Sequence, residues 1–210
     1  GEESLVLKVL PKDPPGASGF INDTHTASLS PIILEQYAFL TDAAIEKLFA
    51  PKQRSQLQYL MGENLPNEWR PEKISQNEAR SLIKNFIPKA LRRHISESKI
   101  NISLNPLNKL TGFELLNALK FEMKAIMLSP EFLYRGLLME KFPGEQKPVD
   151  AFELAERVSY FLWEDRPDNE LMNLASNGSL LEPEILTAQV ERMLKEPQAM
   201  NLAESFGVQW

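Results

Sequence analysis

Residues 153–171 read ELAERVSYFLWEDRPDNEL, and the placement of their side chains decides the fold of the whole chain. On a helix opened by Pro148, Phe152, Ala155, Val158, Ser159 and Leu162 share one face. Leu154 and Phe161 widen that apolar arc, Tyr160 and Trp163 flank it, and Glu153, Glu156 and Arg157 occupy the other side. The spacing therefore describes a helix buried on a broad face. The run Asp165-Arg166-Pro167-Asp168 ends it, and one of the two aspartates caps the next helix, where free N–H groups and the helix dipole favour a carboxylate. The rival reading makes the aromatic cluster a platform for a stacking ligand. The two readings part at Phe161: a core ring truncated to Ala costs roughly 3–5 kcal/mol, an exposed one little.

Downstream, helices are expected near 168–176, 183–195 and 198–208. Asn177-Gly178 closes the first, and Pro183 and Pro197 open the others. Upstream, Ser30-Pro31 combines an N-cap side chain with a proline at the first helical position, predicting a helix to about Ala50. Ser75-x-x-Glu78 and Thr111-x-x-Glu114 fit the capping box, in which hydroxyl and carboxylate satisfy each other's backbone donors. The first opens a helix carrying Leu82, Ile83, Phe86, Ile87 and Leu91, kinked or divided at Pro88. The second opens one whose apolar face runs Phe113, Leu116, Leu119, Met123, Ile126 and Met127. Ser129-Pro130 starts another through Phe132, Leu133 and Leu137. Residues 5–10 suit a short strand, 51–74 around Trp69 give no clear pattern, and 95–110 read as a linker. The class is all-α: an irregular N-terminal segment, then a multi-helix bundle in two subdomains, 1–142 and 143–210, divided at the turn-forming residues 143–147.

The chain has 210 residues, 43% hydrophobic and 25% charged, with a formal charge of −6. An acidic balance argues against nucleic acid as the main partner. Arg92-Arg93-His94 is too short a basic cluster to change that and reads as a solvated helix end. The absence of cysteine rules out disulfides, thiolate metal sites and thioether-attached haem within the chain. No apolar run reaches membrane-spanning length. A start at Gly1 and an end at Trp210 suggest a piece of a longer protein.

Chemistry is sparse. Glu164, Asp165, Asp168 and Glu170 have the residue types for paired-carboxylate glycoside cleavage, but their spacing does not demand it. His25 and His94 are far apart and lie in no zinc or triad context. Gly16 and Gly19 sit among irregular chain rather than in a phosphate loop. Met123, Met127, Met139, Met172, Met193 and Met200 recur at helical spacing as core filler. No catalytic, cofactor-binding or metal-binding residue is assigned.

Several stretches together resemble the planctomycete and verrucomicrobial PSD-type domains, of unknown function, found in proteins with c-type cytochrome modules. Gly19-Phe20-x-Asn22 with Ser30-Pro31-x-x-Leu34-x-x-Tyr37 is similar to the N-terminal domain of that group. Ala90-Leu91-Arg92-Arg93 and Ala125-Ile126-Met127-Leu128-Ser129-Pro130-x-Phe132-Leu133-Tyr134-Arg135 resemble its middle domain. Glu153-Leu154-Ala155-x-Arg157-Val158-Ser159-Tyr160-Phe161-Leu162-Trp163, Pro167-Asp168-x-Glu170-Leu171, Gln189-Val190-x-Arg192-Met193-Leu194 and Phe206-Gly207-x-Gln209-Trp210 resemble its helical fourth domain. Many relatives carry a longer, partly β-rich insertion where this chain has residues 51–74, so no sugar-binding role transfers there. The CxxCH-bearing module that usually follows is absent, so redox chemistry does not reside in this chain.

The resemblance implies a non-catalytic helical interaction module of a periplasmic or cell-envelope protein. Its partner would be a cytochrome c module of the same polypeptide or another envelope protein, with haem c in that neighbour only. The alternative is a polysaccharide-binding or polysaccharide-degrading domain using acidic and aromatic residues. A small-ligand pocket between the subdomains is a third reading.

Overall fold

The computed structural model describes residues 8–10, 30–133 and 149–209. Ten α-helices and no strand occur among these residues. They are α1 (Pro31–Leu48), α2 (Arg54–Met61), α3 (Gln76–Leu91), α4 (Glu97–Leu104), α5 (Gly112–Met127), α6 (Pro130–Leu133), α7 (Ala151–Trp163), α8 (Asn169–Ser176), α9 (Pro183–Leu194) and α10 (Met200–Gln209). The all-α expectation holds. The strand considered at residues 5–10 lies mostly outside the described residues, though Lys8 and Val9 are helical. The turn at 143–147, Leu137, Met139 and His25 lie outside them too.

The chain forms two compact units, Gly1–Ile83 with Ser103–Leu128, and Lys84–Ile102 with Ser129–Trp210. The division falls within α3 and within α4. In the first unit α1 begins as its residues dictate: the Ser30 hydroxyl accepts from the Ile33 N–H at 3.3 Å, with Pro31 at the first position. α5 packs against α1 and against the 3-10 turns Pro71–Lys73 and Asn105–Leu107. It buries Leu115, Leu116, Leu119, Met123 and Ile126. Phe113, expected on that face, is exposed instead. Thr111 takes the N-cap backbone conformation but makes no side-chain cap bond, so the second capping box is absent. Gly112 follows at φ +57, a left-handed conformation that favours glycine. Ion pairs of Lys120 with Glu46 at 2.7 Å and of Lys124 with Asp42 link α5 to α1. Lying at the surface, they add little stability.

The Ser75 box is formed in full: the Ser75 N–H donates to Glu78 Oε2 at 2.7 Å, and the Glu78 N–H donates to the Ser75 hydroxyl at 3.2 Å. Pro88 does not divide α3, which continues to Leu91. It sits in the last turn, where the hydrogen bond it removes is one of few still to be made. Arg92 then turns left-handed at φ 54 and stops the helix.

The linker expected at 95–110 is replaced by α4 and a 3-10 turn. Ser96 accepts from the Lys99 N–H at 3.4 Å, and Ile95, Ile100, Leu104 and Leu107 are buried. In the second unit Lys99 also donates to Glu131 at 2.7 Å, a bond that holds the Glu131 carboxyl below the usual carboxylate range.

Arg92, expected on a solvated helix end, is buried, whereas His94 is exposed. Its Nε lies 3.1 Å from Glu156 Oε1 on α7, without hydrogen-bond alignment. Its other nitrogens donate at 3.2 Å to the carbonyls of Ala90 and Phe132, and its guanidinium stands 5.6 Å from the Phe132 ring centre. A cation this far from water needs such a set of partners.

Candidate interaction surface

The C-terminal helices are placed by their caps. Asp150 accepts from the Glu153 N–H at 2.7 Å, so α7 starts at Ala151 and not at Pro148. Asp168 accepts from the Leu171 N–H at 2.8 Å and caps α8, as one aspartate was expected to do. Asp165 instead turns back on the Arg166 N–H, and its carbonyl accepts from the buried Ser159 hydroxyl at 2.8 Å. Gly178 takes a left-handed turn after α8, and α9 begins at Pro183.

α7 packs against α8, α9, α10 and the 3-10 turns Ser179–Leu181 and Pro197–Ala199. The core of these helices comprises Ala151, Ala155, Leu162, Trp163, Leu171, Ala175, Leu180 and Met193. The face of α7 is the one read in sequence at Ala155, Ser159 and Leu162, with Phe152, Leu154 and Val158 packed against the same core. It departs from that reading at Phe161, Glu153 and Glu156. Its centre is the buried small-residue seam Ala151, Ala155 and Ser159, continued by Leu162 and Trp163. Glu153 and Glu156 lie on the buried side because each has an arginine: Arg157 bonds Glu153 at 3.0 Å through Nε, and Arg92 pairs with Glu156. Phe161 falls on the opposite side and is 63% exposed.

Trp163 is no stacking platform. It is 5% exposed, and its indole N–H donates to the Met193 carbonyl at 2.9 Å. The Arg192 guanidinium stands 5.6 Å from its ring. Asn201 donates to its carbonyl at 2.6 Å. Arg192 in turn pairs with Asp168 at 2.8 Å, lies 3.5 Å from Glu170 and donates to Gln189 at 2.8 Å, while Gln189 donates to Glu170 at 2.8 Å. Two of the four carboxylates considered for catalysis are thus spent on holding α8 to α9. Glu164 and Asp165 are exposed. Among the described residues no group of three His, Asp or Glu side chains is placed to hold a metal ion. Met123 and Met193 are core residues as expected, but Met200 is exposed.

Phe161, Leu194 and Met200 are 63%, 50% and 62% exposed, and they line one open groove with Ala199, Leu202 and Ala203. Its volume is about 530 Å³, its walls are mostly apolar, and Glu196 is its one charged lining residue. Three large apolar side chains gathered in one exposed depression mark an interaction surface rather than scattered surface noise. A sugar platform would set a flat ring among hydrogen-bonding groups, and this groove offers few.

Two smaller effects follow. Phe161→Ala is expected to change unfolding free energy by no more than about 0.5 kcal/mol, because the ring is already in water. Urea titration followed by circular dichroism checks this, and a loss of several kcal/mol would return Phe161 to the core. Asp168→Ala should cost about 1 kcal/mol or somewhat more, since it removes a cap and one partner of Arg192. The same titration reads it against Asp165→Ala, expected near neutrality.

Residues 149–210 match a protein family described as PSD4, protein of unknown function (DUF1592). The match takes in α7, α8, α9 and α10 together with the groove lined from α7, α9 and α10. No curated protein and no solved structure matches the chain. No described helix is long and apolar enough to cross a membrane.

Proposed function

We propose, from the premise of a PSD4-like helical segment at its C-terminal end, that the chain is a non-catalytic interaction module of a multidomain cell-envelope protein. The segment packs against a c-type cytochrome module of the same polypeptide or of another envelope protein. The observation that supports this is the apolar groove of Phe161, Leu194 and Met200. Exposed aromatic and methionine side chains are the residue types that anchor protein interfaces, since they offer large contact area at small entropic cost. Haem c belongs to the neighbour, because this chain has no cysteine for thioether attachment. The periplasmic side follows from the same resemblance. Docking is favoured over polysaccharide cleavage because Asp168 and Glu170 are engaged by Arg192 and Gln189 and Trp163 is buried.

The test is a titration of the isotope-labelled chain with the c-type cytochrome module encoded in its own reading frame, followed by nuclear magnetic resonance. Shifts centred on Phe161, Leu194 and Met200, abolished by Phe161→Asp, support the proposal. No shifts with this module or with a c-type cytochrome of the same envelope, or shifts confined to other surfaces, overturn it.

A further inference from the structure

The first unit holds a recess unrelated to the groove. It opens where α1 ends, between Phe49, Leu57 of α2 and the segment that leads into the 3-10 turn at Pro71. Its volume is about 350 Å³, within the range of small-molecule sites. The floor is apolar, with Phe49 and Leu57 both buried.

The wall comes from residues 62–70, which are neither helix nor strand. A segment of that kind needs to be tied down, and here guanidinium groups do it. Arg54 Nη2 donates to the Leu65 carbonyl at 2.6 Å and also to that of Pro66. Arg70 Nη1 donates to the Trp69 carbonyl at 2.9 Å and, more weakly, to that of Asn67 at 3.4 Å. The Trp69 N–H closes a turn on the Pro66 carbonyl at 2.9 Å. The wall is therefore organised before any ligand arrives, which lowers the cost of binding.

Trp69 lines this recess, and its indole N–H is buried with no acceptor among the described residues. A buried N–H left without an acceptor is costly, and an oxygen supplied from outside would relieve it. At the rim stand Arg54 and Arg70 against Glu72. Each guanidinium has five N–H donors and directs one nitrogen to the loop carbonyls. The lining charge is thus positive by one, two cations against one carboxylate.

We propose that this recess binds a carboxylate attached to an apolar body, seating the body over Phe49 and Leu57. One carboxylate oxygen accepts from the Trp69 indole, and the charge is met by Arg54 and Arg70. Such a group comes from a free small acid or from the C-terminal residue of a peptide, and both present the same chemistry.

The test follows the indole N–H resonance of Trp69, identified by its loss in Trp69→Phe, in the full chain. Benzoate is the first probe and should move this resonance downfield in a saturable way, as a new hydrogen bond requires. Benzamide, with the same ring and no charge, should bind about fivefold or more weakly if the guanidiniums meet a carboxylate. Glu72→Gln should tighten benzoate at least about twofold by removing a like charge. Acetyl-glycyl-leucine serves as the peptide probe, and whichever acid binds more tightly identifies the source while supporting the site. No saturable shift up to roughly 20 mM of either acid, equal binding of benzamide, or weaker binding by Glu72→Gln each overturns the proposal. Trp69→Phe keeps an aromatic ring without the donor. Its benzoate binding, read from the backbone amide resonances of Phe49, Arg54 and Leu57, should weaken while the fold is kept, and unchanged binding overturns the role of the indole N–H.

Discussion

Glu156→Gln is expected to lower the stability of the second unit by about 3–5 kcal/mol, the largest single-atom change this chain should register. Glu156 is buried and faces Arg92, also buried, at 3.1 Å. Removing its charge takes away the one counterion the guanidinium has among the described residues, and the neutral amide returns only part of the interaction. The pair itself need not stabilise the fold, because taking two charges out of water offsets most of their attraction. The double variant Arg92→Met with Glu156→Leu should accordingly recover most of the loss. Chemical denaturation of the wild type, Arg92→Met, Glu156→Leu and the double variant closes a cycle that measures the coupling. Equal and additive costs for the two single substitutions would show that the pair does not act as one.

Trp163→Ala comes next, at about 3–5 kcal/mol, from the cavity left in the core around α7 and from the Met193 carbonyl that loses its donor. Trp163→Phe keeps much of the volume but not the N–H, and should cost less. Differential scanning calorimetry reads both. Because two compact units are present, the loss should appear in the transition of the second unit alone if they unfold separately. An unchanged profile for Trp163→Ala would restore the stacking reading of this ring.

Several helix starts were legible from local signals, though the Thr111 box does not form and α7 begins at Ala151. Ser30-Pro31, Ser75-x-x-Glu78, Asp168 and Pro183 each start a helix at the place their chemistry requires, since a cap satisfies donors within its own turn. Two short helices were not legible. α2 buries only Leu57 and Met61, and α4 is rich in Ile, Ser and Asn, residues of modest helix propensity. Helices of this length owe their stability to packing, which a single sequence does not display.

The candidate surface was half readable for a similar reason. The aromatic cluster does hold the exposed Phe161, but helical spacing puts that ring on the edge of a broad apolar arc, and spacing alone does not tell which edge is covered. The better signal was smallness: Ala151, Ala155 and Ser159 recur at the spacing of one helix face, and close helix contact needs small side chains. Arg92 and Glu156 gave no hint of each other, since the partners are far apart in sequence.

The discontinuity of the two units bears on how such a protein is inherited and divided. The chain passes between units at Ile83–Lys84, Ile102–Ser103 and Leu128–Ser129, so no single cut releases either one whole. A gene fragment beginning at residue 149, where the family match begins, would carry Glu156 but leave Arg92 behind. Its buried acid would then lose the guanidinium that faces it at 3.1 Å. Recombination that shuffles this segment as an independent cassette is therefore penalised unless the preceding helices travel with it. The natural unit of exchange is longer than the stretch of recognisable similarity.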